Sequence, residues 1–116
     1  MTQGERIKRV DELIKDEVSK IILKEIDFPP NVVVTPTRAK TNSAITQSKV
    51  FISVYPEKKQ KEVLKILNEK IWHIQKILDK KLKMRFVPKI VFVPELETIK
   101  AGRIEAILEK LKKEKK

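Results

Sequence analysis

Across residues 7–26, apolar side chains recur at Ile7, Val10, Leu13, Ile14, Val18, Ile21, Ile22 and Ile26. Spacing by three and four gathers them on one side of a helix, so this segment reads as an amphipathic helix with a single buried stripe. It stops ahead of Asp27-Phe28-Pro29-Pro30, because proline cannot continue a helix and restricts the residue before it. The period then shortens. Val32-Val33-Val34-Thr35 and Lys49-Val50-Phe51-Ile52-Ser53-Val54-Tyr55 are rich in β-branched and aromatic residues and read as two strands. Pro36 places the first at a sheet edge or a bulge, and the polar stretch 38–47 is expected to be a surface loop.

After Pro56 a helical stripe resumes at Val63, Leu67, Ile71, Ile74, Leu78 and Leu82. One unbroken rod over 57–82 would be roughly 39 Å long at the α-helical rise, too long beside a domain of this size, so a kink or break is expected near its middle. Pro88 and Pro94 bracket a short apolar strand, Lys89-Ile90-Val91-Phe92-Val93. Ile104, Ile107, Leu108 and Leu111 mark a last amphipathic helix over 97–111, weakened at Gly102. The order is α-β-β-α-α-β with an additional C-terminal helix. This is an α+β arrangement in which helices cover one face of a three-stranded sheet.

At 116 residues the chain has the length of one domain, and its 41% hydrophobic content is that of a globular protein. There is no cysteine, His73 is the only histidine, and Gly4 and Gly102 are the only glycines. That excludes a disulfide framework, a thiol nucleophile, a Cys- or His-rich metal centre and a Gly-rich phosphate loop. Ser19, Ser43 and Ser53 have no histidine or acid patterned beside them. Asp11 and Asp16 precede Lys15 and Lys20 by four residues, a spacing suited to ion pairs along a helix rather than acid–base work. The reading is of a protein that is not an enzyme and needs no cofactor or metal. No apolar N-terminal run and no long apolar stretch occurs, so a soluble, cytoplasmic protein is expected.

Charge sharpens this picture. The net charge is +11, yet residues 58–89 alone hold 11 basic and 3 acidic groups, and 110–116 hold 5 and 1. A localised excess points to a polyanionic partner. Lys58-Lys59-Gln60-Lys61 opens the second helical region, with Lys65, Lys70, Lys76, Lys80, Lys81, Lys83 and Arg85 following. Most fall off the apolar stripe with little acid between them. Such side chains reach phosphate oxygens and displace condensed counterions, giving affinity without sequence choice. Lys58 and Lys59 oppose the helix dipole and so gain nothing locally. Trp72 and His73 lie midway along this region. Exposed, they would stack on a splayed base; the plainer reading packs Trp72 at the core edge beside an ordinary surface histidine. The lysine-rich end is a solvated tail or an auxiliary electrostatic contact.

Several segments together resemble the ribosome-binding factor A family. Arg6-Ile7-Lys8-Arg9-Val10, followed by Leu13, Ile14 and Ser19, looks like its opening helix, and Ser48-Lys49-Val50-Phe51-Ile52-Ser53-Val54 looks like its second strand. Leu82-Lys83-Met84-Arg85-Phe86-Val87-Pro88-Lys89-Ile90-Val91-Phe92 is similar to the family's leucine-arginine-x-valine-proline-x-leucine-x-phenylalanine signature, and Arg103-Ile104-Glu105 also fits. The resemblance implies a type II KH-like fold, with 1–96 as a KH-like RNA-binding domain and 97–116 as an amphipathic helix and lysine-rich tail. It also implies that a kink replaces the GXXG loop of ordinary KH domains. The family's alanine-x-glycine there is matched by Lys70-Ile71-Trp72, a family arginine by Gln75, and a family aspartate by Glu95.

The implied function is that of a monomeric assembly factor for the 30S ribosomal subunit. It would contact 16S rRNA and support late maturation of the 16S 5′ end, above all in the cold, with an assembly GTPase as a further candidate partner. Carried over residue by residue, the rRNA contacts are Arg6, Arg9, Lys70, Lys76, Lys80, Lys81 and Arg85. Electrostatics alone adds Lys58, Lys59, Lys61, Lys65 and Lys83, with Trp72 and His73 as stacking candidates. Two other readings stand beside this one: a general KH-like module for single-stranded RNA, and a protein-interaction adaptor whose lysines only solubilise it.

Overall fold

The structure, a computed structural model, describes residues 2–96. The first apolar stripe becomes α1 (Gln3–Glu25), which buries Val10, Ile14, Val18, Ile21 and Ile22. It begins ahead of the stripe because Thr2 caps it, its hydroxyl accepting the Glu5 N–H at 3.2 Å. Thr2 and Glu5 have the spacing of a capping box. The helix ends where Ile26 turns extended.

β1 (Val33–Thr41) and β2 (Gln47–Tyr55) pair antiparallel, and β3 (Lys89–Pro94) joins β2 in parallel, giving the order β1-β2-β3. Parallel neighbours need a crossover. A 3-10 turn (Glu57–Lys59), α2 (Gln60–Glu69) and α3 (Ile71–Lys81) supply it. α1 packs on β1 and α3, while α2 packs on β3 and β2, so the helices share one face of the sheet. Between the layers lie Ile14, Val18 and Ile21, Val50 and Ile52, Val63 and Leu67, and Ile74 and Leu78, all sealed from solvent. This is the three-stranded α+β fold that the residue pattern and the family resemblance both called for.

The polar stretch 38–47 is not a loop throughout, as expected above. β1 continues to Thr41, and only 42–46 turns. Ala39 and Thr41 are the more buried positions while Arg38 and Lys40 are exposed, so a polar sequence serves a strand with one wet face. Pro36 is tolerated on this edge strand through a register shift between Pro36 and Arg38. A side-chain latch crosses that irregularity. Glu95, buried just after β3, accepts from Thr37 Oγ1 at 2.7 Å and from Arg38 Nε at 2.9 Å. The Arg38 guanidinium lies 4.0 Å from the centre of the Phe51 ring.

The long helical region breaks at Lys70, near its middle, where its length led a break to be expected. There φ is −101° and ψ is 6°; with φ negative, any L residue fits and no glycine is needed. The turn keeps its hydrogen bonds: the Lys70 N–H donates to the Ile66 and Leu67 carbonyls, and the Ile74 N–H donates to the Lys70 carbonyl at 3.0 Å.

Along α1 the ion pairs differ from those expected. Lys15 and Lys20 reach Glu12 and Glu17, each at 3.6 Å. The Asp11 carboxylate instead accepts the Thr41 N–H at 2.8 Å, tying α1 to the end of β1. The expected helix over 97–111 and the tail lie outside the described residues.

Candidate nucleic-acid interface

Leu82 and Pro88 are both buried, and the five residues between them span the gap from α3 to β3. With its ends anchored in the core, this short connection turns Lys83, Arg85 and Phe86 outward and Met84 and Val87 inward. Gln75 clamps its far end. Its amide donates to the Pro88 carbonyl at 3.1 Å and to Asp79 Oδ1 at 3.0 Å, and its oxygen accepts the Ile90 N–H at 3.0 Å. This polar side chain is thus used as a strut.

The connection faces the first half of α1 across a groove of about 1000 Å³. Arg6 and Arg9, one helical turn apart, line the α1 side; Lys83 and Arg85 line the other, and among the described residues no carboxylate lines either. The floor is apolar, from Val10, Leu13 and Met84. The 42–46 turn closes one end. Asn42 Oδ1 holds that turn by accepting the Thr46 and Gln47 N–H groups at 2.8 and 3.2 Å, and Gln3 donates to the Ser43 carbonyl at 2.8 Å. Ile45 sits at φ 56°, a left-handed conformation uncommon for a β-branched residue.

The remaining predicted cations lie elsewhere. On α3, burial of Ile74 and Leu78 leaves Trp72, His73, Lys76 and Lys80 on the outer side. Trp72 is 79% exposed, which overturns the reading that packs it at the core edge. His73 Nε2 lies 3.4 Å from Glu25 Oε2 at the end of α1. Lys80 and Lys81 occupy the last turn of α3, where positive charge suits the helix dipole and the chain leads directly into Lys83. Lys70 stands exposed at the break.

On α2 the expectation of little intervening acid fails. Lys61 and Lys65 share the exposed face with Glu62 and Glu69, so charge there alternates in sign. Lys59 has a local partner after all, Glu62 at 3.4 Å. Lys58 and Lys59 follow the C-terminal end of β2, whereas the groove lies at its N-terminal end. At the usual rise, nine residues of strand part them by about 27 Å. The cations therefore form a concentrated group around the groove and a diluted one along α2. Phe86, 74% exposed at the groove, was not singled out from sequence, because only the two anchors flanking it decide which way it points. Among the described residues, no helix is long and apolar enough to cross a membrane.

Comparison with known proteins identifies the family and the fold. The family model described as ribosome-binding factor A matches residues 6–108. The ribosome-binding factor A of Halothermothrix orenii is 32% identical over 111 residues, covering 95% of this chain and 91% of that protein. That of Bdellovibrio bacteriovorus is 32% identical over 117 residues, covering 100% and 87%. The crystal structure of ribosome-binding factor A from Thermus thermophilus superposes with a TM-score of 0.66 over 76% of this chain and 94% of that one; at 17% identity the likeness concerns the fold. With helix order, strand order and the Arg85–Pro88 signature agreeing with a match that runs from α1 past β3, this chain belongs to the ribosome-binding factor A family.

Proposed function

We propose that this protein binds the 30S ribosomal subunit during its assembly by holding a segment of 16S rRNA, and so supports late maturation of the 16S 5′ end. The observation that carries the proposal is the convergence of Arg6, Arg9, Lys83 and Arg85 on one groove that, among the described residues, no acidic side chain lines. Four cations aimed into a concave surface attract phosphates far more than the same charges scattered over a sphere. Lys76, Lys80, Lys81 and Lys70 extend the contact along α3, with Trp72 and His73 among them. Lys58, Lys59, Lys61 and Lys65 add a weaker, acid-diluted field. Residues 1–96 form the binding domain in this reading, and the lysines of 97–116 add an electrostatic contact.

The protein would act by occupancy rather than by catalysis. A rigid body that prefers one local rRNA conformation raises its population and is released when the mature conformation, which it binds less well, takes over. It works as a cytoplasmic monomer. Sedimentation through a gradient with 30S subunits tests this. Co-migration at low salt should be lost as salt rises, since each phosphate contact releases counterions. Co-migration that ignores salt, or none at low salt, would refute the electrostatic contact.

A further inference from the structure

We infer that the groove between α1 and the 82–88 connection is a seat for one unstacked base of single-stranded RNA, with Phe86 as the stacking platform and Arg6, Arg9, Lys83 and Arg85 on the flanking phosphates. The inference rests on the RNA-binding reading above and narrows it to a conformation of the RNA. Phosphate contacts alone explain the cations but leave the ring unexplained. Phe86 is 74% exposed and sits within the cationic group, over an apolar floor that includes Leu13 and Met84. The Arg85 guanidinium carbon stands 5.4 Å from the ring centre. It covers one face and leaves the other for a base, in the arrangement that suits nucleobases of any identity.

A base in an A-form duplex offers no free face, so an aromatic ring in this position has use only against a splayed or single-stranded segment. The connection is also built to hold the ring still. Leu82 and Pro88 bury its ends, and Gln75 pins Pro88 and Ile90, so the platform is in place before RNA arrives.

The test compares a labelled single-stranded oligoadenylate with an RNA duplex of similar charge by fluorescence anisotropy, on the full chain. The native protein should prefer the single strand, and Phe86→Ala should weaken single-strand binding about 10-fold while leaving duplex binding unchanged. Phe86→Leu, apolar but flat-faced no longer, should lose as much, and Phe86→Trp should bind at least as tightly as the native protein. Equal affinity for strand and duplex, an unchanged Phe86→Ala, or full rescue by leucine would each overturn the inference. Sedimentation with 30S subunits separates the two proposals. Subunit binding without single-strand preference rejects the stacking seat alone; single-strand preference without subunit binding supports the seat and rejects the ribosomal role.

Discussion

Replacing Glu95 by alanine removes a carboxylate whose side chain is 4% exposed and which holds two groups on the edge strand, Thr37 at 2.7 Å and Arg38 at 2.9 Å. Severing a fully buried ion pair costs about 3–5 kcal/mol, because the surviving charge is stranded. Here the surviving charge is not stranded. Arg38 is 46% exposed and can rehydrate, and Thr37 has a second acceptor, the Phe51 carbonyl at 3.3 Å. What is lost is the net worth of hydrogen bonds to a charged group, about 1.5–3 kcal/mol, plus about 0.8 kcal/mol for one buried methylene. Rehydration of Arg38 returns part of that, leaving about 2–3 kcal/mol. With a slope near 1.5 kcal/mol per molar urea, the midpoint should fall by about 1.3–2 M. Glu95→Gln keeps the shape and the acceptor oxygen but not the charge, and should lose about half as much, since charge-assisted bonds are roughly twice as strong as neutral ones. A double-mutant cycle with Arg38→Met should return a coupling of about 1 kcal/mol. A Glu95→Ala midpoint within error of the native protein, or a cycle that closes to zero, would mean the irregular middle of β1 is held by strand pairing and not by this latch.

Two further outcomes are expected. Arg6→Glu with Arg85→Glu should abolish most 30S co-sedimentation and flatten its salt dependence, whereas Lys61→Glu with Lys65→Glu should cost far less, because Glu62 and Glu69 already dilute that face; similar losses from both pairs would contradict the placement of the contact in the groove. Gln75→Leu should destabilise the protein by about 1–3 kcal/mol, by leaving the Ile90 N–H and Pro88 carbonyl without their partner, and should speed proteolysis between residues 82 and 88; unchanged thermal melting and cleavage would rule out the strut.

How much was legible beforehand differs by element. Helices α1 and α3 and strands β2 and β3 were plain from their periods, because a buried stripe leaves a local signature that tertiary contacts only reinforce. A break near the middle of the second helical region followed from its length, but its position at Lys70 did not, since no glycine announces it. The second half of β1 could not be read, since Arg38-Ala39-Lys40-Thr41 has no strand period of its own and becomes a strand by pairing with Phe51-Val50-Lys49-Ser48. The lysine count was equally visible, but not its division between groove and α2, nor that Glu62 and Glu69 share the face of Lys61 and Lys65.

Sequence by itself determined α1, α3, β2 and β3, the order of the described elements and the sign of the surface, because hydrophobic period and formal charge are local properties of the chain. Tertiary structure alone decided that Arg6 and Arg9 meet Lys83 and Arg85 across a groove, that Phe86 faces outward there, and that Gln75, Asp11 and Glu95 act as struts. The groove and the struts join residues far apart in the chain. Such a meeting depends on how the helices pack on the sheet, and no window along the sequence records it.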